Sequence, residues 1–368
     1  MKVTITCLCG CARQEVTLVA EALPTKACLC HCDTCRSASG MLCTVYLGLA
    51  SPPTSLASLT NYNSSQRVSR FFCGTCGAHV FAEDKSTGEY RVCSGTVEHS
   101  RDVIGITHHE WVGDTRDGGL ATFLTQCGQH GLGAYVEDSE QQMMEPVNNR
   151  SSEEPKLVEP RDYFMGSTRL HAPPLQHREK VLGKCHCGGV EYYVTPPSEL
   201  SRKLSSPWPD LLVPYHSGSP ENKQDIKWWM RAENTKFLAG LCACRSCRLA
   251  AGFPVQSWAF IPKANIIKRD STSLDFSLGS LQQYESSVGV FREFCSICGA
   301  TVFWHCEERP DLIDVSVGLL RSKSGARAED LLEWETGRVS FKEEALDQEL
   351  VTSLELGLQA SKSRTLKE

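Results

Sequence analysis

The chain has 368 residues, 20 of them cysteine, and 38 basic against 44 acidic side chains give a formal net charge of −6. Its length exceeds one ordinary domain and fits two, while no apolar run is long enough to span a bilayer as a helix. Eight acidic against three basic residues fall between Glu137 and Asp162, so the remainder is close to neutral and lacks the basic surplus of a nucleic-acid binder.

The start, Met1-Lys2-Val3-Thr4-Ile5-Thr6, has no apolar core of a signal peptide, which leads us to expect a cytoplasmic protein, with the nucleus as the other reducing compartment. There, 20 cysteines grouped as C-x-C, C-x-C-x-x-C and C-x-x-C argue for metal ligation over a disulfide framework. Thiolate-rich clusters favour zinc.

In chain order, a first unit is expected over 1–127. It opens with Cys7-Leu8-Cys9-Gly10, and alternation through Ala12 to Leu18 predicts a half-buried strand. Cys30-His31-Cys32-Asp33-Thr34-Cys35-Arg36 follows, then Ser37-Ala38-Ser39-Gly40 as a turn before a strand over Leu42 to Leu47. Strands through Val68 to Phe72 and near Val80 and Arg91 flank the knuckle Cys73-Gly74-Thr75-Cys76-Gly77, and the unit closes near His108-His109-Glu110. Residues 128–180 lack periodicity and are rich in acidic and polar side chains, the composition of a flexible linker.

The second unit, expected over 181–345, repeats the first: Cys185-His186-Cys187-Gly188, Cys242-Ala243-Cys244-Arg245-Ser246-Cys247-Arg248, and Cys295-Ser296-Ile297-Cys298-Gly299. The approaches to the knuckles also match, Tyr62 to Cys73 against Tyr284 to Cys295, which marks a tandem duplication. The copies differ by an insertion at about 198–232, since the first two clusters stand 23 positions apart in one copy (7 to 30) and 57 in the other (185 to 242). Pro207-Trp208-Pro209 and Trp228-Trp229 give it the look of a loop folded over something, a lid or substrate wall, although loops also tolerate insertions at small entropic cost. Residues 346–368 read as a short helix or tail.

A C-x-x-C-G knuckle turns two sulfurs inward and needs a second pair to complete a tetrahedral zinc site. Cys7 and Cys9 with Cys73 and Cys76, and Cys185 and Cys187 with Cys295 and Cys298, supply two such sets. Three cysteines then remain in each central cluster, Cys30, Cys32 and Cys35, and Cys242, Cys244 and Cys247, the ligand number of a catalytic zinc with an open fourth position. Cys28, His31, Cys43, Cys93, His108 and Cys306 are the residues that would close it. Arg36 and Arg248 are candidates to hold a substrate carboxylate bidentately, against a cluster-bracing role. Of the adjacent His108 and His109, at most one is placed to offer a proton-transfer group near the first copy's metal, because neighbours on a strand face opposite ways, against a solvated or core role for both.

The order C-x-C-G, C-x-C-x-x-C-R and F-C-x-x-C-G, present twice, resembles the family of glutathione-dependent formaldehyde-activating enzymes and centromere protein V. The resemblance implies a mainly β, Mss4-like fold in each of two tandem domains. It also implies structural zinc at each four-cysteine set and catalytic zinc at each three-cysteine set, four ions per chain, with glutathione as the thiol substrate. The activity implied is that of a carbon–sulfur lyase, an S-(hydroxymethyl)glutathione synthase-like addition of a small-molecule thiol to an aldehyde. Cys11 stands where the family generally has Ala. The competing readings are a non-catalytic zinc scaffold for protein or chromatin partners, and a thiol-dependent lyase or dehydratase acting on a secondary metabolite. The sequence names no catalytic acid or base and no oligomeric state.

Overall fold

The computed structural model describes residues 1–19, 24–98, 104–138, 157–159, 164, 179–206 and 219–365. The linker over 139–156, 160–163 and 165–178, and the insertion's Pro207-Trp208-Pro209, lie outside the described residues.

Each copy is built from β-sheet. In the first, five antiparallel strands run in the order Tyr46–Gly48, Glu89–Cys93, His79–Asp84, Val68–Cys73 and Leu59–Asn63. A smaller sheet holds Lys2–Ile5 between Gln14–Thr17 and Val97–Glu98. The second copy repeats this small sheet, with Val181–Lys184 between Glu191–Val194 and Leu320–Arg321. Its large sheet runs from Met230–Arg231 through Lys236–Cys242, Gln256–Pro262, Leu312–Ser316, Thr301–Cys306 and Val290–Cys295 to Leu281–Ser287. Central strands such as Val68–Cys73 and Gln256–Pro262 are buried nearly throughout, because both faces are covered, so they carry no polar alternation.

The expected turn at Ser37 to Gly40 is instead the end of a helix, Asp33–Ser39, matched in the second copy by Arg245–Ala251. The turn reading failed because Ser37, Ala38 and Ser39 are small for close packing: all three are buried, and Gly40 caps the helix with φ 83°. The expected linker also begins later than 128, since Gly133–Tyr135 pairs in parallel with Ile104–Glu110 and Leu157–Val158 pairs with Gly133–Tyr135. In the insertion, Trp228 and Trp229 are fully buried and Met230–Arg231 pairs with Lys236–Cys242, so this part belongs to the core and not to a lid.

The copies pack on each other reciprocally. Gly40 lies so close to the carbonyl of Thr301, and Gly252 so close to that of His79, that neither has room for a methyl group. Gly77 meets the ring of Phe294 as Gly299 meets that of Phe72. The N–H of Gly95 donates to the Gly252 carbonyl at 2.9 Å, and that of Gly318 to the Gly40 carbonyl at 3.1 Å. Even the ion pairs correspond: Arg321 reaches Asp33 at 3.3 Å, and Arg245 reaches Glu98 at 3.6 Å.

The C-terminal segment is an 18-residue helix, Gln348–Thr365, lying on the first copy. Leu350, Val351, Leu354 and Leu358 are buried, the Gly128 N–H donates to Ser353 Oγ at 3.1 Å, and Gly357 sits against the Phe123 carbonyl. Among the described residues no helix is long and apolar enough to cross a membrane.

Candidate metal centres

None of the 20 cysteines is in a disulfide. Fourteen fall into the four groups expected from spacing, the ligand atoms within each group lying within 4.8 Å of one another. In the first four-cysteine group the C-x-C turn brings Cys7 and Cys9 to 3.5 Å, and Cys9 to Cys73 at 3.5 Å. In the second, Cys185 to Cys187 is 3.5 Å and Cys187 to Cys295 is 3.4 Å. Sulfurs bound tetrahedrally at about 2.3 Å from zinc stand about 3.8 Å apart, so both sets fit that ion with little movement. Gly77 and Gly299, at φ 76° and 77°, turn the knuckles. Backbone N–H groups aim at the sulfurs: Ala12 at Cys7, Gly189 at Cys187 and Val190 at Cys185.

The three-cysteine groups sit where a strand enters a helix. The first sulfur ends Thr25–Cys30 or Lys236–Cys242, the second caps the helix, and the third lies in its first turn. Cys32 Sγ accepts the Cys35 N–H at 3.3 Å, and Cys244 Sγ accepts that of Cys247 at 3.2 Å, an arrangement that favours a thiolate. Hydrogen bonds from Cys30 and Cys32 hold Cys35 well below the ordinary thiol range, and those from Cys242 and Cys244 do the same for Cys247. Negative charge concentrated on sulfur calls for a cation, and these donors fit a soft divalent ion.

A buried arginine completes each group, and sequence reasoning missed both. Arg70 donates to Cys35 Sγ at 3.2 Å, while also holding Ser64 and Tyr46. Arg292 approaches Cys247 Sγ at 3.8 Å. Both stand three residues before the first knuckle cysteine, a repeat visible in the sequence whose meaning depended on the fold. Arg36 and Arg248 are placed differently from the carboxylate-holding expectation. Arg36 gives its guanidinium to the His31 and Asp114 carbonyls and to Asp33, and Arg248 crosses the interface to the carbonyls of Gly95 and Val97. Both brace backbone, and burial lowers Arg248 to about 10.

The residues named as closing the fourth position are dispersed. His31 Nε2 pairs with His109 Nδ1 at 2.9 Å, and His109 Nε2 donates to the Leu124 carbonyl. Cys28 and His108 group with Glu110 and not with the three sulfurs. Cys43 lies near Cys35, where burial raises it to about 12, and it lines a narrow apolar cavity of about 20 Å³. Leu29, Val45 and Leu124 share that lining with Val255 of the second copy and Leu350 and Leu354 of the C-terminal helix. A carboxylate holds each helix start, Asp114 at the Asp33 N–H and Glu344 at the Arg245 N–H, both at 2.9 Å.

A family model described as "Glutathione-dependent formaldehyde-activating enzyme" matches residues 2–114 and 225–334, more than half of the chain. No curated protein and no solved structure matches.

Proposed function

The chain belongs to the glutathione-dependent formaldehyde-activating enzyme family, and we propose that it is a carbon–sulfur lyase that adds the thiol of glutathione to an aldehyde at its three-cysteine centres. The observation that carries this reading is that both copies present three converging thiols beside a buried arginine, separate from a complete four-sulfur group. Cys7, Cys9, Cys73 and Cys76, and Cys185, Cys187, Cys295 and Cys298, would hold structural zinc. Cys30, Cys32 and Cys35, and Cys242, Cys244 and Cys247, would hold the reactive ion. When bound there, zinc supplies a Lewis acid with a fourth position for a thiol.

The chain's own residues set the conditions. The helix N-termini and the guanidinium groups of Arg70 and Arg292 compensate negative charge on sulfur, so less of the ion's charge is spent on its protein ligands. Leu29, Val45 and Leu124, with Val255, Leu350 and Leu354, line a narrow apolar cavity at Cys43. In the reaction a new S–C bond forms, the carbonyl π bond opens, and the thiol's proton passes to the oxygen. All three sulfurs of a centre would be committed as ligands, so the reaction requires no covalent cysteine adduct. Twenty free thiols suit the reducing cytoplasm or nucleus.

The test is accumulation of the glutathione–formaldehyde adduct above the uncatalysed background. A zinc-loaded wild type that never exceeds background with formaldehyde or larger aldehydes, and that co-purifies with a protein partner, would make the chain a scaffold.

A further inference from the structure

We propose that Cys28, His108 and Glu110 form a separate site for a zinc-like divalent ion on the first copy. Strands Thr25–Cys30 and Ile104–Glu110 run in parallel with Cys28 beside His108 and Cys30 beside Glu110. Residues two apart on a strand share a face, so thiol, imidazole and carboxylate are presented together. Their ligand atoms lie within 4.8 Å of one another, and all three side chains are half-buried.

The hydrogen bonds around the imidazole orient it as a ligand. Thr107 Oγ1 stands 3.2 Å from the Ala27 carbonyl and 2.8 Å from His108 Nδ1, so when the ring proton is on Nδ1 the hydroxyl accepts it while donating to Ala27, and Nε2 is left to ligate. In that tautomer the Nε2 lone pair is directed at Glu110 Oε1, 3.0 Å away. A metal bound there takes the place of the proton that otherwise joins Nε2 to the carboxylate. Cys28 Sγ stands 3.4 Å from the other carboxylate oxygen, Oε2. In a tetrahedral zinc site, with N and O at about 2.0 Å and S at about 2.3 Å, ligand atoms stand about 3.3 to 3.5 Å apart, and here Nε2 and Sγ flank the two oxygens of one carboxylate, a spacing that a single ion spans with a small turn of Glu110. The ring of Tyr135 meets His108 edge-on at 5.3 Å and restrains its rotation.

A sulfur ligand selects against magnesium and calcium, and one nitrogen with one carboxylate suits zinc. Binding would displace the Cys28 thiol proton to solvent. The second copy has no counterpart of this site, since Gly240 occupies the place of Cys28. The site is also distinct from the three-cysteine centre, whose ligands are Cys30, Cys32 and Cys35.

The experiment is a zinc count on the purified full chain at saturating zinc after removal of the excess. The wild type is expected to hold one more zinc per chain than His108→Asn or Glu110→Gln. Cobalt(II) added to the zinc-loaded wild type, exchanging at this more exposed site first, is expected to give a thiolate-to-cobalt band that Cys28→Ser lacks. Thr107→Val leaves all three ligands in place and removes only the Nδ1 acceptor, so it should weaken this one site about tenfold or more while the zinc count recovers at higher metal. Equal zinc content in wild type and both ligand variants, with no Cys28-dependent band, would overturn the proposal and leave a histidine–carboxylate hydrogen bond only. These readouts do not involve thiol–aldehyde addition, so they stand or fall apart from the proposed activity.

Discussion

Arg70 donates to the sulfur of Cys35 from a strand 35 residues further along the chain, and it is almost wholly buried while doing so. Removing such a charge leaves an anionic sulfur without its partner. Arg70→Met, on a background silenced in the second copy by Cys244→Ser, is expected to lower adduct formation about tenfold or more and to move the acid limb of the pH–rate profile upward. Arg70→Lys should recover part of the rate. An unchanged profile in the Met variant would remove Arg70 from the chemistry.

The two classes of cysteine group should separate under substitution. Cys298→Ser breaks a four-sulfur set, and because binding free energy there is folding free energy, it should yield aggregated or unfolded second copy. Cys32→Ser combined with Cys244→Ser leaves both four-sulfur sets intact, so a soluble protein holding two fewer zinc ions and lacking adduct formation is expected. Each single variant retaining about half the rate would show both copies active, whereas loss with Cys244→Ser alone would place the activity in the second.

The reciprocal interface gives a test with its own control. Gly252 and Gly88 both have positive φ, 83° and 75°, but Gly252 abuts the His79 carbonyl whereas a methyl on Gly88 meets nothing within 4 Å. Gly88→Ala should cost about 1 kcal/mol from backbone strain alone. Gly252→Ala should cost several times that, read as a much larger fall in melting temperature. Equal losses would mean that the copies do not bear on each other at this point.

Burial lowers His79 to about 4, with its Nε2 donating to the Ala38 carbonyl at 2.8 Å. An unfolded histidine titrates near 6.5, so between about pH 6.5 and 4 the unfolded chain binds the extra proton and stability rises with pH. The contribution is whole above about pH 6.5, is reduced by about 2 kcal/mol at pH 5, and levels off below about 4. Urea unfolding at pH 7.5 and 5, at saturating zinc, should show a smaller acid loss for His79→Gln than for wild type.

What could be read from the sequence was what lies close along it. The C-x-C and C-x-x-C pairs are local turns, so their sulfurs converge wherever the chain goes, and the repeat supplied the pairing of each with its partner. Arg70 with Cys35, and Cys28 with His108 and Glu110, join residues 35 to 82 apart and depend on strand register, which no spacing rule reports. Gly40 read as part of a turn because its second role, contact with the opposite copy, has no local signature. The docking of Leu350 and Leu354, read as part of a short helix or tail, was hidden for the same reason: the surface they cover is formed by residues distant in sequence.

The ion pairs across the interface carry opposite polarity at matching places. Asp33 and Arg245 occupy the same position in the two copies, three residues after the first cysteine of each central cluster, and Glu98 and Arg321 occupy another, beside Thr4 and Leu182. Each pair is exposed enough to add little to stability. Their value lies in discrimination: two first copies brought together would set Asp33 against Glu98, and two second copies would set Arg245 against Arg321. The charges thus favour the pairing of unlike copies over that of like ones, and a tandem pair leaves its two sites free to diverge in a way that a symmetric homodimer does not allow.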